Sequence, residues 1–147
     1  MRAVVTRVKS ASVTVGGEIV GEIEQGFLVL LGISVSDTPA EADKIADRLC
    51  GLRVFEDENG KMNLAPDKVG AKMLIVSQFT LYGDCASRRP GFTKAAGGTV
   101  AEPLYERCVA QVRDRGFTVA CGVFGAEMLV ASVNDGPVTL LLDTDTL

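Results

Sequence analysis

The chain has 147 residues, a formal net charge of −4, and 47% hydrophobic against 23% charged residues. That balance describes one folded domain spanning residues 1–147 and excludes a disordered or fibrous chain. Histidine is absent, which removes imidazole as base, proton shuttle or metal ligand, and the acidic balance disfavours a globally basic nucleic-acid binder while leaving room for a local basic patch.

Ala3–Val8 is rich in β-branched residues, Ser12–Val15 alternates with period two, and Gly16-Gly17 is a two-residue hairpin turn whose return strand is Glu18–Ile23. Phe27–Leu31, continuing through Gly32-Ile33, has no polar face and is expected at the centre of a sheet covered on both sides. It is far too short to cross a bilayer. No signal-type run follows Met1-Arg2, so the expectation is a cytoplasmic protein with no membrane partner. Its four cysteines, Cys50, Cys85, Cys108 and Cys121, are expected to be reduced and mostly buried. No two of them form a CxxC pair, so no metal site is expected.

Thr38-Pro39-Ala40-Glu41 starts a helix by three signals at once: an N-cap threonine, a proline at the first helical position and a glutamate completing a capping box. Ile45, Leu49 and Leu52 form its apolar stripe, and Asp57-Glu58-Asn59-Gly60 is a turn. Met73–Val76 is a second buried strand that runs directly into Ser77-Gln78-Phe79-Thr80. Residues 82–98 form a long loop with Gly83, Gly91, Gly97, Gly98, Pro90 and the cations Arg88, Arg89 and Lys94. Thr99 to Glu102 reads as a second capping box, opening a helix to about Arg115 with Leu104, Cys108 and Val112 inward. Strands are expected at Phe117–Ala120, Met128–Val133 and Val138–Leu142, with Asn134-Asp135-Gly136-Pro137 between the last two. Seven or eight strands and two helices make an α+β fold: a mixed, mostly antiparallel β-sheet or open barrel packed with two main helices.

Four segments bear on chemistry. Ser77, Gln78, Phe79 and Thr80 lie at the end of a rigid apolar strand, where hydroxyls, an amide and main-chain N–H groups can stabilise an oxyanion or simply satisfy a turn. Asn134–Pro137 is either a β-turn or a cis Gly–Pro bond that fixes two carbonyls in an unusual relation. Phe124 and Met128 flank Gly125-Ala126, as core or as a surface for a base. Arg88, Arg89 and Lys94 either meet phosphates or stay solvated. Neither a phosphate-binding G-x-x-x-x-G-K-[ST] nor a dinucleotide G-x-G-x-x-G occurs, so no cofactor is expected.

The start M-R-A-V-V-T-R-V-K-S-A-S-V-T-V, then Lys61-Met62-Asn63-Leu64, Ser77-Gln78-Phe79-Thr80-Leu81, Arg89-Pro90-Gly91-Phe92 and Asn134-Asp135-Gly136-Pro137-Val138-Thr139 follow in this order. On them, the chain resembles the D-aminoacyl-tRNA deacylase family from Met1 to about Leu142. The resemblance implies a homodimer that hydrolyses the ester of a D-amino acid, or of mischarged glycine, on the 3′ end of aminoacyl-tRNA. It implies that Ser77, Gln78, Phe79 and Thr80 line the reaction centre and that Phe124 and Met128 lie near the terminal adenine. It further implies that Gly136-Pro137, as a Gly-cisPro element, enters the partner subunit's pocket to reject L-amino acids, and that Arg7 helps hold that loop. The proton acceptor is then the substrate's ribose 2′-hydroxyl, with Thr80 as nucleophile the competing proposal. Three other readings stand beside this one: a non-catalytic RNA-binding module, a structural oligomerisation domain, and a cysteine hydrolase built on Cys85 with Arg88 or Arg89.

Overall fold

The computed structural model describes residues 1–147. In chain order its elements are β1 (Arg2–Val15), β2 (Glu18–Ile23), β3 (Gly26–Gly32), α1 (Pro39–Gly51), β4 (Phe55–Glu56), β5 (Met62–Leu64), β6 (Lys72–Ser77), α2 (Gly98–Asp114), β7 (Val119–Cys121) and β8 (Leu129–Asp143). Short 3-10 turns cover Pro66–Val69 and Phe79–Tyr82.

β1 organises the sheet. One of its edges carries β8 antiparallel along nearly the whole strand; the other is shared by β3, opposite residues 2–8, and β2, opposite residues 11–15. The sequence suggests two pieces, 1–8 and 12–15. The structure has one strand, because the polar residues between them stay paired, with Ser10 opposite Val133 and Ala11 opposite both Ser132 and Ile23. Gly16 and Gly17 both have positive φ, at 58° and 81°, the backbone a two-residue hairpin turn needs.

Beyond β3 the pairing becomes parallel, β3 to β6 and β6 to β7. Each parallel step needs a crossover, and α1 and α2 supply them. Successive right-handed crossovers in one direction put both helices on the same face, where they pack against each other. Arg107 of α2 and Arg115 at its C-cap pair with Asp43 and Asp47 of α1 at 2.8 and 2.7 Å. Such exposed pairs contribute at most about 1 kcal/mol each, so apolar burial must hold the helices down. Ile45 and Leu49 from α1, Cys108 and Val112 from α2, and Phe27, Val29, Met73 and Ile75 from the sheet form one buried cluster. Val8, Val13, Leu28, Leu74 and Val76 form a smaller one on the opposite face, closed where β2 folds over toward β6 and β7. The run 27–33 is therefore buried from both sides, and each fully buried large aliphatic side chain there contributes about 1.5–3 kcal/mol.

The cap of α1 forms as its residues predict. Thr38 Oγ1 accepts from Ala40 N at 3.3 Å, and the Glu41 carboxylate accepts from Thr38 N at 2.7 Å. The second expected cap does not form. α2 starts at Gly98 with Gly97 as its N-cap and no side-chain cap, so Thr99 already lies inside the first turn. The reason is the approach of the chain, since the Gly97 carbonyl itself receives Val100 N and Ala101 N.

Asn134–Pro137 does not separate two strands by a reversal. β8 keeps its direction on both sides, and Thr6 pairs with Thr139 while Val8 pairs with Asn134. Residues 135–138 therefore bulge out opposite the single residue Arg7. The Gly136–Pro137 bond is cis. All four cysteines are free, but only Cys108 is fully buried, and Cys85 is exposed in the loop after the second 3-10 turn.

Candidate active site

β6 ends at Ser77, yet the chain stays tied to β3 for one more residue, because Gln78 N donates to the Leu31 carbonyl at 2.8 Å. The backbone then tightens into the 3-10 turn Phe79–Tyr82, closed by Gly83 N on the Thr80 carbonyl at 2.9 Å. This turn sits directly over Gly32 at the end of β3. A Cβ on Gly32 would stand 2.9 Å from Leu81 Cβ and 3.0 Å from the Gln78 carbonyl oxygen, so only glycine permits the approach. From the other side Arg2 braces the turn. Its guanidinium lies 4.5 Å over the Tyr82 ring, donates to the Leu81 carbonyl at 3.1 Å and pairs with Asp143 at 2.9 Å. Partial burial alone would push the Asp143 carboxyl up, but the Asp145 N–H and Arg2 hold it below its ordinary value.

Beside this turn opens a cleft of about 480 Å³. It is lined by Ser77, Gln78 and Phe79 at the end of β6, by Leu31, Ile33 and Val76 at and beside the central strands, by Phe124, Gly125, Ala126 and Met128 from the segment before β8, and by Ala101 of α2. No lining residue ionises, so the cleft contains hydroxyl, amide, thioether and aromatic groups but no side-chain acid or base. The Phe124 ring is backed by Tyr105 at 5.9 Å, and the Tyr105 hydroxyl donates to the Ile75 carbonyl at 2.6 Å, tying α2 to β6. Burial, together with the Cys121 thiol, pushes the Tyr105 phenol upward, so it stays protonated as a donor.

Five of the nine residues singled out from the sequence thus meet in one cleft: Ser77, Gln78, Phe79, Phe124 and Met128. Thr80 is outside the lining but attached to it, since the Gln78 amide donates to its hydroxyl oxygen. Arg7, Gly136 and Pro137 form a separate group at the bulge in β8. Arg7 is 5% exposed and spans two elements: Nε donates to the Asp135 carbonyl at 3.0 Å and Nη1 to the Val54 carbonyl at 2.6 Å. The Asp135 carboxylate lies 3.7 Å from the same guanidinium. Asn134 clips the base of the bulge, its Oδ1 accepting from Val138 N and its Nδ2 donating to Thr139 Oγ1, both at 2.9 Å. Asn134, Thr139 and the Val54 carbonyl were given no role of their own from the sequence. For the first two the signal was available, since both lie in the Asn134–Thr139 motif; Val54 acts through its main chain and leaves no trace in residue type.

Comparison with known proteins places the chain in a family. The family model described as D-Tyr-tRNA(Tyr) deacylase matches residues 4–143. A D-aminoacyl-tRNA deacylase of Thermus aquaticus is 57% identical over 145 residues, 98% of this chain and 95% of that protein. One of Clostridioides difficile (strain 630) is 52% identical over 145 residues, 98% of this chain and 97% of that one. Among solved structures, one titled c-Myc DNA Unwinding Element Binding Protein superposes with a TM-score of 0.93 at 43% identity, covering 98% of this chain and 99% of its own. A probable eukaryotic D-amino acid tRNA deacylase shares the fold, with a TM-score of 0.83 at 17% identity, covering 96% of this chain and 97% of its own. With the family model matched from the first strand to the end of the last, and with relatives more than half identical along nearly the full length, the chain belongs to the D-Tyr-tRNA(Tyr) deacylase family.

Proposed function

We propose that the cleft receives the 3′-terminal aminoacyl-adenosine of a tRNA and hydrolyses its ester, releasing the amino acid. The activity is that of a D-aminoacyl-tRNA deacylase, and the finer assignment is to D-amino acids and to glycine mischarged on tRNA. The observation that carries this reading is the composition of the cleft: a hydroxyl and an amide, aromatic rings and a thioether in one lining, and no ionising group among them. An aminoacyl ester is already activated, so a site that positions water and stabilises the oxyanion is sufficient. The hydroxyl of Ser77, the amide of Gln78 and the leading N–H groups of the turn at Phe79 and Thr80, which have no intrahelical partner, are assigned that role. Phe124 and Met128 are assigned to the adenine. The substrate's ribose 2′-hydroxyl serves as proton acceptor.

Selection by handedness is assigned to the bulge. Held by Arg7 and clipped by Asn134, the cis Gly136–Pro137 element stands away from its own cleft. β8, which carries it, is the outermost strand on β1 and exposes Leu129, Val133 and Leu141 at 75%, 55% and 80%. A long edge with such side chains favours pairing with a second copy. In that homodimer the Gly136–Pro137 carbonyls of one protomer complete the other's cleft and collide with an L side chain at Cα, whatever that side chain is. Glycine, with no side chain, passes.

The test is single-turnover hydrolysis of matched D-, L- and glycyl-tRNA at protein concentrations spanning dimer dissociation. The D and glycyl esters are expected to be cleaved and the L ester spared, with that selectivity fading in the monomer. Equal rates on both mirror forms in the dimer, or full selectivity in the monomer, overturn the handedness assignment.

A further inference from the structure

Between the 3-10 turn at Phe79 and α2, residues 84–94 form eleven consecutive exposed positions. They are nevertheless well organised. Asp84 and Gly91 exchange two main-chain hydrogen bonds, at 2.7 and 2.9 Å, which close a finger over residues 85–90. The Asp84 carboxylate accepts from Ala86 N at 2.9 Å, and the Ser87 hydroxyl donates to the Arg89 carbonyl at 2.8 Å. The root of the finger is fixed to the cleft. Phe92 packs edge-on against Phe79 with ring centroids 5.2 Å apart, and Val35 N donates to the Lys94 carbonyl at 3.0 Å.

The charge of this segment differs from that of the rest of the chain. It holds three cations and one carboxylate in a protein whose net charge is −4. Arg2, Arg107 and Arg115 each pair with a carboxylate within 3 Å. Arg88, Arg89 and Lys94 pair with none and donate to no other group of the chain. A preformed loop rooted beside the cleft through Phe92 and carrying unpaired guanidinium groups meets the needs of a phosphodiester backbone leaving that cleft.

We infer that this finger grips the sugar–phosphate backbone of the acceptor stem, with Arg88 and Arg89 each contacting a phosphate while the 3′ end occupies the cleft. The inference rests on the deacylase reading above and adds to it a second contact surface, outside the cleft. Phosphate contacts carry no sequence information, so the finger acts on affinity for any tRNA rather than on choice among them.

The experiment compares the full protein with Arg88→Glu/Arg89→Glu and with the charge-conserving Arg88→Lys/Arg89→Lys, on two substrates: D-tyrosyl-tRNA and D-tyrosyl-adenosine, which has the same ester and no phosphate. The charge-reversed variant should lose roughly ten- to hundredfold in kcat/KM on the tRNA, through KM, and nothing on the adenosine ester. The salt dependence of tRNA binding should flatten by about two units of log–log slope, one per lost phosphate contact. The lysine variant should retain most of the affinity. An equal loss on both substrates, or no loss on the tRNA, overturns the finger assignment while wild-type cleavage of D-tyrosyl-tRNA leaves the deacylase reading intact. Failure of the wild type to cleave D-tyrosyl-tRNA overturns both.

Discussion

Thr80 carries the sharpest mechanistic question at the scale of single residues. A hydroxyl that attacks an ester needs a neighbour to accept its proton. Here the neighbour is the Gln78 amide, and it donates to the Thr80 oxygen, which withdraws electron density from the atom that would attack. The arrangement suits orientation, not nucleophilic activation. Replacing Thr80 with valine should therefore slow single-turnover deacylation by no more than about tenfold, whereas a nucleophile's removal should cost on the order of 10⁴-fold. The cleft residues that carry this argument were legible in the sequence because Ser77–Thr80 sits where a wholly apolar strand turns polar. The Gln78–Thr80 hydrogen bond was not, since it depends on how tightly the turn winds.

Among the elements, α1 shows local sequence and tertiary context in agreement. Its cap and its proline were legible and are present; of its stripe, Ile45 and Leu49 are buried in the helix, while Leu52 falls at the C-cap, half-buried beyond the last turn. Thr38→Ala removes the oxygen that receives Ala40 N and should cost about 1 kcal/mol, a fall of roughly 2–4 °C in melting temperature for a domain of this size. Calorimetry of the variant checks this. α2 shows the opposite case: the letters of a capping box at Thr99–Glu102 are present, but the chain enters the helix two residues earlier, with Gly97 as N-cap, and the box never assembles. β1 and β8 were each read as two pieces for one reason. Local pattern is interrupted at Lys9-Ser10 and at Asn134–Pro137, and only the long pairing between the two strands carries each across its interruption. Residues distant in sequence supply that continuity, so no local window contains it.

For the molecule as a whole, ionisation brackets stability from both sides. Hydrogen bonds hold Glu41, Asp43, Asp57 and Asp143 below their ordinary values, chiefly from Thr38 to Glu41, Arg107 to Asp43 and the Lys61 N–H to Asp57; at Asp143 they outweigh a larger opposing effect of burial. A depressed carboxylate stabilises the fold fully above its unfolded value and loses that contribution as pH falls through the folded one, so stability should decline below about pH 4. Burial raises the Cys50 and Cys108 thiols to about 11 and about 12. A raised thiol stabilises fully below its unfolded value of 9.0 and loses the effect as pH climbs from there. Without histidine no side chain with an ordinary pKa near neutrality intervenes. The melting temperature should therefore be flat from about pH 5 to 7; a step near pH 6.5 would contradict this.

The contact between Tyr105 and Phe124 has a practical side. The chain has no tryptophan and two tyrosines, so its ultraviolet emission comes from Tyr105, behind the cleft wall, and Tyr82, in the turn that follows Phe79. Tyr105 lies directly behind a ring of the cleft wall and Tyr82 at the end of the turn that begins with Phe79, with no indole to mask them. The unlabelled protein thus carries an intrinsic optical probe, and quenching of its tyrosine signal can follow occupancy of the cleft in real time.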